Sequence, residues 1–287
     1  MSGAVRIQVP MAFFLKSFSG APTITRGPEA LVIHEFSRPP RLQDLQSLML
    51  PKSDLRALLR CVPGHCALKV SAPMMEQAHD NTPPRTMATQ GQEEQLFRDL
   101  IFQYVATYAE KGNAAMITYA DKLPPVNSAE AFLQLLRQMG WLPTYALPLE
   151  RCLDTYSGKP CPHIDSILSW SLVKFGLKPV FTITNTLIDE TVLAGNPSVL
   201  IALKQIYADH YFDAALGLAV LVEGSADPAH PATWLVYEDR SQTDGLRGLF
   251  GAFEKGIVQR KTSAALRKDL AALKADLEKR YAQRPQS

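Results

Sequence analysis

The sequence predicts an α+β protein in which an antiparallel sheet is wrapped on one long C-terminal helix. Three observations carry this. First, the runs "KPVFTITNTLID" (178–189), "SVLIALKQIYA" (198–208), "ALGLAVLVE" (215–223) and "TWLVYEDR" (233–240) have a period near two. The segments joining them, "ETVLAGNP", "DHYFDA" and "GSADPAHPA", are rich in turn residues, so the four runs read as a meander of strands. Second, Leu266, Leu270, Leu273 and Leu277 fall on one stripe of a long charged helix that closes the chain. Third, the chain opens with a strand over Ala4–Val9, a stop at Pro10 and a short helix over Met11–Phe18, followed by a strand over Glu29–Phe36. Meander strands that end in a single amphipathic helix belong to layered α+β folds.

Between the opening and the meander the texture is helical. "SRPPRLQDLQSLMLPKSDLRALLR" is mostly short helix, with Ser53 or Asp54 as an N-cap, and His65–Val70 looks like a strand. Glu93–Lys111 spaces Leu96, Phe97, Leu100, Ile101, Tyr104, Val105 and Tyr108 by threes and fours, the mark of an amphipathic helix. Shorter helices are expected over Asn113–Tyr119, Ser128–Met139, Leu149–Tyr156 and Asp165–Phe175. The expectation is one domain over residues 1–287 with a helical insertion at about 73–176.

Composition narrows the classes of function. With 287 residues, 46% hydrophobic and 20% charged, the chain can bury a sizeable core. A net charge of +2, from 30 basic and 28 acidic residues, gives no nucleic-acid footprint. No apolar run approaches the ~20 residues that span a bilayer. The apolar patch Ile7–Leu15 is a poor signal peptide, because Pro10 interrupts it and Lys16 closes it. It reads as mature structure, which leaves room for an export signal upstream of this start.

"AVRIQVPMAFFLKSF" at the front, with the strands and long helix at the back, resembles the START-like (SRPBCC) superfamily over roughly residues 4–70 and 177–281. "RGPEALVIHEFSRPPRLQDLQSL", "RCVPGHCALKVS", "FGLKPV" and "KQIYADHYFDAALGL" are similar to a family of uncharacterised bacterial proteins along nearly the whole chain, a likeness that brings no known activity. The superfamily resemblance implies a helix-grip fold, a curved antiparallel sheet around the C-terminal helix. It further implies capture of a lipid or other hydrophobic small molecule between the two, with a minority of members that are enzymes. Such a sheet cannot fill its own concavity with side chains, so alternate strand residues line a dry volume. The candidate liners on the strands are Phe181, Ile183, Ile201, Leu203, Tyr207, Leu218, Val220, Trp234 and Val236, and on the helix Phe250, Phe253 and Ile257. The helical block departs from a plain START-like pattern and bears on how open that volume is.

The four cysteines form two local pairs, Cys61 with Cys66 and Cys152 with Cys161, each bridging a Pro or Gly turn. Two disulfides are the first reading, reduced buried thiols the second, and a zinc site drawing on His65 and His163 the third. The zinc spacings match no familiar pattern, so no metal is expected. Disulfides persist in a periplasmic or exported location, and the thiol alternative returns the protein to the cytoplasm.

"ALKQIYADHYFDAAL" gathers Lys204, Gln205, Tyr207, Asp209, His210, Tyr211 and Asp213. One reading makes His210 a base oriented by Asp213 or Asp209, with Tyr207 or Tyr211 as donor and Lys204 nearby, and so an enzyme acting on an apolar substrate. The other makes the stretch a hairpin turn. "TDGLRGLFGAFEKGIVQRK" sets apolar residues beside cations, so 245–261 is either a segment able to touch a membrane surface or a helix start packed closely on the sheet. No phosphate-loop, dinucleotide, nucleophile-elbow or zincin motif occurs, and no cofactor is expected. Three functions therefore stand: a binding module for a hydrophobic small molecule or lipid, an enzyme using residues 204–213, and a structural or partner-binding protein with a filled core.

Overall fold

The computed structural model describes residues 1–18, 30–80, 89–175, 178–225, 227, 229–243 and 251–284, with the side chains of 18, 30, 175, 178 and 251–263 outside the description. Strands β1 (Ser2–Ile7), β2 (Ala30–Glu35), β5 (Ile164–Phe175), β6 (Lys178–Leu193), β7 (Asn196–Ala208), β8 (Phe212–Ser225) and β9 (Ala232–Thr243) form a seven-stranded sheet. Its order is β1-β9-β8-β7-β6-β5-β2, and every pairing is antiparallel. The meander β5 to β9 fills the middle, and the first two strands of the chain become the two edges. Two short strands, β3 (Thr118–Tyr119) and β4 (Val126–Asn127), pair separately.

Helices cover both faces of the sheet. On one lie α1 (Met11–Phe18) and α8 (Gly251–Ala282), and Ile7, Val199, Ile201, Leu203, Leu221 and Leu235 pack there with Phe14 and Leu277. On the other lies a block made of α2 (Lys52–Leu58), α3 (Ala72–Asp80), α4 (Gln90–Lys111), α5 (Ser128–Arg137), α6 (Leu142–Tyr145) and α7 (Leu147–Thr155). Phe97, Tyr108 and Phe132 of the block meet Phe181, Ile183, Leu200, Ala202, Tyr207 and Leu218 of the sheet. A strand buried on both sides has no polar face, which is why "VLIA" in β7 runs apolar without alternation.

Local chemistry starts and places the elements. Thr89 and Gln92 form a capping box at the head of α4, and the Asn127 side chain accepts from the amides of Ala129 and Glu130 to start α5. The described C-terminal half of α8 lies along β1, where a Cβ on Gly3 would come within 2.9 Å of the tip of the Leu270 side chain, so a larger residue would push that leucine aside. Lys274 donates to the Arg6 carbonyl at 2.8 Å and Glu278 accepts from the Gln8 amide at 2.7 Å, pinning the helix to the edge strand.

Three sequence expectations change. Asp165–Phe175 is not a helix but strand β5, paired with β6 through Ile164↔Asp189 to Phe175↔Lys178. Ile164, Ile167, Leu168 and Leu172 sit at helix-like spacings by accident, and the ladder to β6 overrides them. His65–Val70 is not a strand: beyond a single bridge Val62↔His65, its backbone bonds go to Ala120, Asp121 and Asp209. Within Asn113–Tyr119 the chain makes a 3₁₀ turn over Gly112–Ala115 and then β3. Among the described residues, no helix is long and apolar enough to cross a membrane.

Both cysteine pairs are bonded, Cys61–Cys66 with Cα atoms 4.6 Å apart and Cys152–Cys161 with Cα atoms 6.0 Å apart. The second bridge closes the loop after α7 where it presses on the end of α4. There Gly112 has φ of 58° and a Cβ would lie 2.1 Å from the Tyr156 carbonyl oxygen. Protein made in an oxidising compartment should therefore show no alkylation when denatured without reductant, and four alkylated thiols after reduction, by intact mass. Alkylation without reductant would overturn the bonded state. Each bridge should contribute roughly 2–3 kcal/mol to stability by loop closure.

Candidate functional site

The polar residues of the β7–β8 turn are brought together with partners from far away in the chain. Lys69 is only 3% exposed and its ammonium lies 2.9 Å from Asp213 and 3.8 Å from Asp121, above the Tyr119 ring at 4.6 Å. Asp209 accepts from the Phe181 amide at 2.9 Å, and its carbonyl accepts from the Lys69 amide at 2.8 Å. Burial pushes the Asp209 carboxyl up to about 7, against the pull of His210 and the Phe181 amide. Its second oxygen has no partner among the described residues. His210 Nε2 lies 3.2 Å from Asp54, and the Ser53 hydroxyl donates to the other Asp54 oxygen at 3.3 Å. Asp54 is thus a buried partner of histidine, not the expected cap of α2, whose N-cap is Pro51. Tyr211 closes the turn at φ of 62°.

The arrangement does not assemble a catalytic set from the sequence candidates. His210 is engaged by Asp54, not by Asp209 or Asp213, and Asp213 is engaged by Lys69. Ser53, the hydroxyl nearest this pair in the bonding pattern, is bonded to the carboxylate and not to the imidazole. Tyr207 is buried among the rings of Tyr104, Tyr119 and Phe181, with its hydroxyl lacking a protein partner. Lys204 stands apart, on β7 with its side chain turned to the helical block. Asn113 Oδ1 accepts from its ammonium, which lies 4.3 Å from the Phe132 ring centroid. Burial lowers its pKa to about 7, while Asp154 acts the other way. Asn113 is itself fixed by donating to the carbonyls of Leu153 and Asp154. The chemistry of the turn is that of a lock between the block and the sheet.

The strand candidates for ligand contact fall on two faces. Ile201 and Leu203 face α8. Phe181, Ile183, Tyr207 and Leu218 belong to the core under the helical block, with Val220 packed on it. Trp234 and Val236 lie on that same side, at 44% and 42% exposure. The side chains of Phe250, Phe253 and Ile257 lie outside the described residues, as do those of the whole segment 245–261.

Reading across the ladders on the α8 face gives a gradient that the sequence candidates missed. One row runs Glu190–Val199–Leu221–Leu235–Val5, apolar but for the exposed Glu190 at its end, and the next runs Asp165–Ile188–Ile201–Ala219–Tyr237, with the exposed Asp165 at its end. A third runs Ile167–Thr186–Leu203–Gly217–Asp239, and the rows beyond hold Ser169–Thr184–Gln205 and Ser171–Thr182. Thr186 and Gln205, at 5% and 8% exposure, each bury a side-chain polar atom with no partner among the described residues. Ser171 and Thr182 bond each other at 2.8 Å. Burial raises the Asp239 carboxyl to about 6, partly offset by the Met1 ammonium, which donates to the Asp239 carbonyl. The available signal was hydroxyls at period two, Thr182, Thr184 and Thr186 in "TITNT" and Ser169 and Ser171 in "SILSWS". Compared with protein-family models, with curated proteins and with solved structures, the chain finds no significant match in any of the three.

Two buried charges set an expected pH profile. Asp209 has a folded pKa raised from 3.8 to about 7, so the folded state holds the extra proton in that window and stability falls as pH climbs through it. Lys204 has a folded pKa lowered from 10.5 to about 7, so the unfolded state holds more protons above 7 and stability rises towards pH 10. Urea unfolding at pH 5, 7 and 9 should show Asp209→Asn flattening the acid limb and Lys204→Met the alkaline limb. Parallel profiles for wild type and both variants would contradict this.

Removing the shorter ion pair is a separate matter. Asp213→Ala leaves a buried ammonium without its closest carboxylate and should cost about 3–5 kcal/mol. Asp227→Ala, at an exposed site that pairs with His230, should leave stability nearly unchanged. Equal effects in the same denaturation series would remove the case for a lock.

Proposed function

We propose that this protein is a START-like, helix-grip binding module that holds an amphipathic small molecule between its sheet and α8. The observation that carries the reading is the gradient on the α8 face, from rows apolar at their centre to hydroxyl and amide rows, with buried polar atoms of Thr186 and Gln205 that have no partner among the described residues. Buried polar groups are nearly always hydrogen-bonded, so these two call for a partner beyond the described residues. The sheet order, with the opening strands at its edges and a meander between, and the long closing helix support the helix-grip assignment. The two disulfides fit an oxidising compartment and support a periplasmic or exported location. The enzyme reading is the weaker one, because each ionisable group of the 209–213 turn is already tied to a structural partner.

A space-filling substitution separates an occupied cavity from a filled core. Wild type should take up the neutral dye Nile red saturably, and native mass spectrometry of gently purified protein should show a co-purified small molecule. Thr186→Phe should abolish dye uptake while leaving the urea midpoint nearly unchanged, because the added ring enters open volume. If wild type takes up no dye and Thr186→Phe costs about 1–3 kcal/mol, as overpacking does, the face is filled and the structural reading replaces this one.

A further inference from the structure

Two lysines are buried among the described residues, Lys69 and Lys204, and a disulfide-closed loop stands behind each. The Cys61–Cys66 loop docks beside Lys69, through the amides of Gly64 and Cys66 on the carbonyls of Ala120 and Asp121. The Cys152–Cys161 loop docks on the end of α4, where backbone meets backbone. The Asn113 amide donates to the Tyr156 carbonyl at 2.7 Å, and a Cβ on Gly158 would come within 2.6 Å of the Ala109 carbonyl oxygen. The Asn113 side chain donates to the Leu153 and Asp154 carbonyls and accepts from the Lys204 ammonium. Tyr156 stacks on Tyr108 with centroids 5.7 Å apart, and the Tyr108 ring lies 5.8 Å from the same ammonium. Asn185, opposite Lys204 on β6, donates to the Tyr108 hydroxyl. Two routes therefore run from the loop to Lys204, one through Asn113 and one through Tyr156 and Tyr108. A buried ammonium keeps its place only while its acceptor does.

We propose that the Cys152–Cys161 disulfide is a redox latch on Lys204: closed, it seals the amine under the helical block, and opened, it exposes the amine to water and to amine-reactive electrophiles. The latch acts on the face opposite α8 and does not depend on a bound ligand. A dithiol reductant supplies the step. Its first thiolate bonds to the half-buried Cys161 sulfur and Cys152 leaves as a thiolate; its second thiolate then displaces Cys161. The two protons of the reductant end on Cys152 and Cys161, and the reductant becomes a disulfide. Without the bridge, the loop after α7 is held by noncovalent contacts alone, so it opens more often while the rest of the fold stays closed. Opening carries Tyr156 and the Leu153 and Asp154 carbonyls away from Asn113, and Lys204 loses its fixed acceptor.

The test is a short pulse of N-acetoxysuccinimide on the full-length folded protein at pH 8, with acetylation of Lys204 and Lys69 read from one peptide map. Cys152→Ser/Cys161→Ser should raise Lys204 acetylation about tenfold over wild type and leave Lys69 within about twofold, since the opening is local. Cys61→Ser/Cys66→Ser should leave Lys204 within about twofold of wild type. Wild type reduced with dithiothreitol and desalted without oxygen should match the first variant at Lys204, and re-oxidation should restore protection. If Cys152→Ser/Cys161→Ser fails to fold, Asn113→Ala with both bridges intact carries the comparison, because it removes the acceptor directly, and the same rise at Lys204 alone is expected. Lys204 staying protected in protein whose Cys152–Cys161 bridge is open, or in Asn113→Ala, overturns the latch. A rise of Lys69 in step with Lys204 in either variant overturns it too, because the bridge would then only stabilise the fold as a whole.

Discussion

Lys69 and Asp213 meet at 2.9 Å with almost no exposure to water, and the junction between the helical block and the sheet is built around them. A buried ion pair is a poor source of net stability, because desolvating two charges offsets their attraction, yet either charge left alone is severely penalised. Such a pair therefore acts as a constraint on arrangement. Lys69 must lie over the β7–β8 turn or remain an unmatched cation, and the same segment binds that turn again through Asp54 and His210. The Cys61–Cys66 bridge falls between Asp54 and Lys69 in the chain, so the two anchors are held on a short, covalently closed span. The loop gains its backbone partners from Ala120, Asp121 and Asp209 in place of a ladder of its own.

With one face of the sheet committed in this way, the two faces take on different roles. The block side is filled by large aromatic side chains in mutual contact, with rings of Tyr104, Tyr119, Phe181 and Tyr207 about 6 Å apart, and its buried polar atoms are mostly bonded across layers, as Tyr104 to the Ile206 carbonyl and Tyr119 to the Ala208 amide. The α8 side has small and β-branched residues in the same central strands, Ala215, Gly217, Ala219, Thr182, Thr184 and Thr186. Small side chains opposite a helix leave volume that large ones would occupy. Of the buried polar atoms without a partner among the described residues, those of Thr186 and Gln205 lie on this small-residue face, and those of Tyr207 and Asp209 lie under the block and in the β7–β8 turn.

What could be read in the sequence follows from which forces are local. Strands β6 to β9 and the leucine stripe of α8 are legible because period and turn chemistry are properties of neighbouring residues. The cysteine pairing is legible because each loop is short. Strand β5 is not, since its apolar residues imitate helical spacing and its identity comes from the ladder to β6. The partners of His210 and Asp213 are not, being 156 and 144 residues away in the chain. Period two also says that side chains alternate without saying towards what. In a strand such as β7, apolar on both faces, the liners Ile201 and Leu203 cannot be separated from Leu200 and Ala202 until the covering helices are in place.

That ambiguity explains why polar residues, more than apolar ones, mark the site. Every buried sheet contains Val, Ile and Leu, so their presence on a face carries little information about ligands. A run of threonines in a strand flanked by helices on both sides is a different matter, because each buried hydroxyl must be bonded or it costs stability. Where such hydroxyls bond one another, as Ser171 and Thr182 do, they are ordinary structure. Where they remain without a protein partner next to a small-residue surface, as Thr186 does beside Gln205, the fold keeps a cost that packing with leucine would remove. The turn at 209–213 spends most of its polar atoms on holding the layers together, one oxygen of Asp209 excepted, whereas the α8 face sets its unpartnered atoms beside small side chains. The second pattern is the one that a bound molecule resolves.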